Sequence, residues 1–154
     1  MDKPMKMSPQ GRKSLVEKWE RLRLVAYKPV PTDPWTNGYG HTGPDVWPGQ
    51  VWTEAEADAA LDRDLAKAEA ALNRDIQVEV TQHEFDALVD WVHNVGVGAE
   101  HSSTLMALLN AGQPLAAIAK QFERWDMAAG RHLQGLLNRR MDEERYFLLP
   151  DEEA

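Results

Sequence analysis

Residues 27–43 read YKPVPTDPWTNGYGHTG, with three prolines and three glycines between two stretches of helical pattern. Proline fixes φ and withholds a donor, glycine admits positive φ, and Thr, Trp and Tyr favour pleated backbone. The spacing therefore predicts short strands and turns from 24 to about 52. Upstream, Ser8 and Pro9 suit a cap and a first helical position. Leu15, Trp19 and Leu22 then recur at helical spacing, which predicts a first helix over 8 to about 20. Downstream, Thr53 with Glu56 makes a capping box, and the alanine-rich run to about Asn73 carries the stripe Ala57, Leu61, Leu65, Ala68 and Leu72.

Thr81 with Glu84 repeats the start signal, and Phe85, Leu88, Val89 and Val92 supply the next stripe. NVGVG at 94–98 breaks that helix, and Ser102 or Ser103 caps another running through Leu109. Further helices are expected over about 114–124 and 136–148, with Gly130 and Gly135 bracketing the loop between them. The tail PDEEA is too polar to pack and is expected to fray. A small β-containing insert followed by a helical remainder makes an α+β chain.

Composition narrows the function classes. At 154 residues and 43% hydrophobic content, the chain reads as one domain able to bury a core without staples. There is no cysteine, which excludes disulfides and any thiolate ligand or nucleophile. The N-terminal run MDKPMKMSPQGRKSLVEKWE lacks the apolar core of a signal peptide, and no window approaches the roughly 18 apolar residues of a membrane span. The expectation is a soluble protein with no export signal and no stable membrane insertion. A formal charge of −8 argues against nucleic acid as the main partner. The pairs Arg21 with Arg23 and Arg139 with Arg140 read most simply as solvated helix faces.

Few residues offer chemistry. Glu20 lies where the first helix gives way, flanked by Trp19, Arg21 and Leu22. Partial desolvation there would favour a protonated general acid; the alternative is one surface acid among 25. His41 follows GYG and suits a ligand contact, a proton carrier or, more simply, a hydrogen-bonded structural histidine. No metal site is expected, because HE at 83–84 lacks a second histidine at helical spacing and His93 and His101 flank a glycine-rich break. No Gly-x-Ser-x-Gly elbow or phosphate loop occurs. Six tryptophans (Trp19, Trp35, Trp47, Trp52, Trp91 and Trp125) can offer stacking faces to sugars, but four or more are expected to fill core.

The ordered motifs carry a resemblance. ERLRLVAY at 20–27, WTNGYGHT at 35–42, TQHEFDALV at 81–89, NVGVG at 94–98 and SSTL at 102–105 resemble the phage-type lysozymes, the muramidase endolysins of glycoside hydrolase family 24. QFERW at 121–125, GLLNRR at 135–140 and YFL at 146–148 extend the likeness over about 12–149. It implies a single lysozyme-like α+β domain over 1–154. A β-hairpin lobe over about 20–52 is joined by a helix over about 53–73 to a helical lobe over about 81–149.

The resemblance further implies a cleft that binds peptidoglycan glycan strands and hydrolyses the β-1,4 bond between N-acetylmuramic acid and N-acetylglucosamine, with no cofactor. Glu20 falls on the family's general acid, and Thr36 on the threonine that helps an aspartate orient water. His41, Thr42, His93, Asn94 and Thr104 fall near the sugar cleft, and Arg139 or Arg140 is placed to pair with Glu20. The implied setting is a monomer held in the bacterial host cytoplasm until a holin-type lesion admits it to the wall.

Three positions depart from the family pattern. Arg21 replaces a glycine, Asn37 replaces an isoleucine, and Pro29 stands where the aspartate belongs. Either Asp33, in a turn one residue longer, replaces that carboxylate, or Glu20 and Thr36 work without one. The alternatives to hydrolysis are a binding module on the same fold and a lytic transglycosylase using Glu20 alone.

Overall fold

The computed structural model describes residues 4–151. The first helix, α1, is composite: α-helical Pro9–Gly11, π-helical Arg12–Glu17 and α-helical Lys18–Glu20. Ser8 caps it, its hydroxyl accepting from the Gly11 N–H at 3.0 Å. Local spacing predicts a regular helix here. The π stretch instead widens the repeat, rotating Glu20 relative to the buried Leu15 and Val16.

The proline- and glycine-rich stretch builds a three-stranded antiparallel sheet: β1 (Arg23–Tyr27), β2 (Thr36–Gly38) and β3 (His41–Thr42). Thr36 lies opposite Tyr27 on one side and Thr42 on the other. Next comes α2 (Glu54–Asp75), opened by a complete Thr53–Glu56 capping box, and α3 (Gln82–Val95), opened by the matching Thr81–Glu84 box. The break after α3 is narrower than NVGVG suggests: Gly96 alone turns the chain at φ 98°, and α4 (Val97–His101) begins at once. Ser103 caps α5 (Thr104–Asn110); α6 (Leu115–Lys120) runs into a 3-10 turn over Gln121–Arg124. The last helix is α7 (Gln134–Phe147).

Two short strands, β4 (Met127–Ala128) and β5 (Arg131–His132), form a hairpin where a loop was expected. Ala129 and Gly130 turn it with φ of 51° and 76°. A two-residue turn with both φ positive is the natural hairpin connection, but alanine is an unusual first residue for it, so the sequence signal was weak. The tail also departs from expectation as far as it is described. The Asp151 carboxylate accepts the backbone N–H groups of Gln82 and His83 at 3.1 and 3.3 Å, tying it to the start of α3; residues 152–154 lie outside the described residues.

Two apolar clusters share α2. The larger gathers Leu61, Leu65 and Leu72 from α2 with Phe85, Leu88, Trp91 and Val92 from α3, Leu105 from α5 and Phe147 from α7. The smaller joins Ala57 and Ala60, near the start of α2, to Ala26, Val46 and Trp52 of the sheet region. Burying one Leu or Phe side chain of the larger cluster stabilises by roughly 1.5–3 kcal/mol, and the smaller cluster seats the start of α2 on the sheet region. Tyr39 packs against both. Of the tryptophans, Trp52 and Trp91 are buried and Trp35 and Trp125 pack partly buried against the clusters, whereas Trp47 is mostly exposed.

Candidate active site

Glu20 ends α1, and the chain leaves it through Arg21 at φ 46° and ψ 120°, a conformation L side chains rarely adopt. That turn carries the chain from α1 into β1. The Glu20 side chain is only 16% exposed. Its Oε1 accepts from Arg139 Nη1 of α7 at 2.7 Å. The other edge of that guanidinium is occupied by Asp90 of α3, with Nη2 to Oδ1 at 2.8 Å and Nε to Oδ2 at 3.0 Å. One turn along α3, His93 Nε2 stands 3.8 Å from Glu20 Oε1 and 3.4 Å from the Tyr39 carbonyl.

The arginine pair at 139–140 corrects the expectation of a solvated face: both are buried. The cause is α7 packing against α3, which seals the guanidiniums beside buried carboxylates that can pair them. Arg140 grips Glu143 at two points, 2.7 and 2.9 Å. Burial opposes the charge on Arg139, but Asp90, Glu20 and Glu143 around it outweigh that and raise its pKa. Burial likewise works against ionised Asp90, yet Arg139 and Glu143 hold its pKa below the usual carboxylate range. Burial, then the Asp90 charge, push Glu143 well above that range, with Arg140 opposing the rise.

The hairpin closes over the other side of Glu20. Gly40, at φ 78°, passes so near that a Cβ there would overlap Glu20 Oε2. Thr36 is buried in β2, its hydroxyl donating to the Pro34 carbonyl at 3.0 Å. Asn37 is wholly buried; its amide donates to Gln50 at 3.3 Å and its Oδ1 accepts the Gly38 N–H at 2.8 Å, so it braces the sheet. Asp33 lies in the β1–β2 connection, its N–H donating to the Val30 carbonyl at 3.0 Å, while Pro29 is exposed at the start of the same turn.

His41 has both ring nitrogens engaged, Nδ1 with Asp64 at 2.7 Å and Nε2 with Asp45 at 2.9 Å, and ties β3 to α2. Burial lowers its pKa, but these two carboxylates outweigh that and raise it. Thr42 and His93 line one hollow of about 240 Å³ together with Gly40 and Gly96. Asn94 lines another of about 330 Å³ with Trp125 and Leu136, and Thr104 a third of about 350 Å³ with Gln121, Arg124 and Trp125. Among the described residues, no three His, Asp or Glu side chains are grouped to hold a metal ion, and no helix is long and apolar enough to cross a membrane.

Asp90 and Glu143 were not singled out from sequence. A signal existed: Asp86 and Asp90 stand four residues apart within the otherwise apolar run FDALVDWV at 85–92 of α3, and acids among such neighbours need partners. Asp86 finds its own in the backbone N–H and hydroxyl of Ser8 and the amide of Gln82.

The comparisons with known proteins bear on this arrangement. The pattern of the phage lysozyme family matches residues 17–143. The endolysin of Bacillus phage PZA is 44% identical over 135 residues, covering 87% of this chain and 52% of that protein, so the chain spans about half the length of that relative. The endolysin of Acyrthosiphon pisum secondary endosymbiont phage 1 is 39% identical over 137 residues, covering 86% of this chain and 92% of its own. Among solved structures, the endolysin from Escherichia coli O157:H7 phage FAHEc1 superposes with a TM-score of 0.85 at 33% identity, covering 96% of each chain. The fold is therefore the lysozyme-like α+β fold that the motifs implied. The match runs from the helix bearing Glu20 to the helix bearing Arg139 and Glu143, and the chain belongs to the phage lysozyme family.

Proposed function

We propose that this chain hydrolyses the β-1,4 bond between N-acetylmuramic acid and N-acetylglucosamine in bacterial peptidoglycan, with Glu20 as general acid. The observation that carries the reading is a sheltered carboxyl fixed between two lobes, by Arg139 on the helical side and Gly40 on the hairpin side. Arg139 occupies Oε1, which leaves Oε2, beside Gly40, to pass a proton to the leaving oxygen. Glycoside cleavage also needs water activation or charge stabilisation across the sugar ring. Thr36 supplies a positioned hydroxyl, and Asp33 is the carboxylate of the hairpin turn that takes the part Pro29 cannot.

Thr42, His93, Asn94 and Thr104 contact successive sugars along the hollows, and His41 keeps the hairpin seated on α2. The family relationship and the names of the relatives support an endolysin's role in host lysis. In that role the protein waits as a monomer in the host cytoplasm and depends on a separate holin-type membrane lesion to reach the wall.

Digestion of purified sacculi followed by mass spectrometry of the muropeptides tests the reaction. Products ending in a reducing N-acetylmuramic acid are expected. A 1,6-anhydro terminus would make the protein a transglycosylase, and bound but uncut glycan would make it a binding module.

A further inference from the structure

We infer that Asp90 is a positioning residue for the proposed reaction: by pairing with the far edge of Arg139, it fixes the guanidinium that orients Glu20 and offsets its charge there. This rests on Glu20 being the general acid.

The problem it solves is electrostatic. A guanidinium 2.7 Å from a carboxyl favours the ionised form, which is the wrong form for an acid that must donate near neutral pH. Arg139 nevertheless touches Glu20 through Nη1 alone, while Nη2 and Nε both go to Asp90. Asp90 has no exposed surface, so solvent does little to screen its charge. Glu20 therefore faces one half of an ion pair, and the pair keeps the directional hydrogen bond while cancelling much of the field.

Other charged or titratable groups face the same cluster. From α3 comes His93; from α7 come Arg140 and Glu143, the latter 3.8 Å from Arg139 Nε; from β1 comes Tyr27, whose phenol is influenced by the Glu20 charge. The hairpin tip contributes Gly40, which carries no charge. Of these, Asp90 alone takes two N–H groups of Arg139, so its removal changes the field at Glu20 most directly.

The test is the pH profile of kcat/KM on purified sacculi, measured at a temperature where each variant is folded by circular dichroism. Asp90→Asn leaves Arg139 uncompensated, so the basic limb is expected to move to lower pH by about one unit. Asp90→Glu keeps the charge and is expected to retain the wild-type limb even if the rate falls. Arg139→Gln leaves Asp90 uncompensated and moves the limb the other way, and it carries the test if Asp90→Asn does not fold. Rates that fall by one factor at every pH, with the limb in place, would overturn the inference and reduce Asp90 to a structural role. Activity retained in Glu20→Gln would instead overturn the general-acid assignment, so the two failures are distinguishable.

Discussion

Gly40, in the turn between β2 and β3, packs against Glu20 at the end of α1: a Cβ on Gly40 would overlap Oε2 and lie 2.8 Å from the carboxyl carbon. The glycine of the hairpin tip is thus part of the wall that holds the acid. Its positive φ of 78° adds a second reason for glycine here. Gly40→Ala is expected to displace the Glu20 carboxyl and reduce kcat/KM on the order of 10²-fold, the scale of a 1 Å misplacement at a reacting group. Steady-state rates, with a melting curve to show the variant is folded, check this; near-normal turnover would mean that the contact is slack.

Asp33 sits in a turn held by its own backbone N–H, so replacing the carboxylate by an amide leaves that hydrogen bond intact. Asp33→Asn is expected to lower turnover on the order of 10²-fold while changing stability by no more than about 0.5 kcal/mol. Sacculus turbidity and urea denaturation measure the two effects. An unaffected rate would assign Asp33 to turn formation only.

Arg21 holds φ 46° where the family pattern has glycine. Strained backbone of this kind costs of order 1–3 kcal/mol, against which glycine brings greater entropy to the unfolded chain. Arg21→Gly is expected to raise unfolding stability by about 1 kcal/mol. A denaturation midpoint equal to or below wild type would show that the turn is not strained.

His41 makes stability depend on pH. Asp45 and Asp64 raise its pKa above the ordinary value of 6.5 in spite of burial. The folded state therefore binds the proton more tightly than the unfolded state, so the contribution is full below about 6.5 and is lost as pH rises through the folded value. The difference in melting temperature between wild type and His41→Gln is expected to be largest in mild acid and to shrink above neutrality. A difference that stays constant across this range would contradict the ion-pair account.

Local signals were the most legible. Both capping boxes, Thr53 with Glu56 and Thr81 with Glu84, mark helix starts where the structure has them, because the bonds involved span three residues. The short strands and turns of the 24–52 stretch were recognisable from residue types, and the family-like motif spacing singled out Glu20 as a candidate. What escaped depends on contacts distant in sequence or on unusual local geometry. Arg139 reaches Glu20 across 119 positions, and only the packing of α7 on α3 turns an apparent surface pair into a buried network. The Ala129–Gly130 hairpin lacked the usual Asn-Gly or Asp-Gly signature, and periodicity did not reveal the π stretch in α1.

Glu20 as the general acid is tested by the clearing of permeabilised Gram-negative cells by wild type and by Glu20→Gln at equal concentration. Glutamine keeps the shape and can still accept from Arg139, but it has no acidic proton to give. Rapid loss of turbidity is expected with wild type and none above background with Glu20→Gln. Equal clearing by the two proteins would contradict the general-acid assignment.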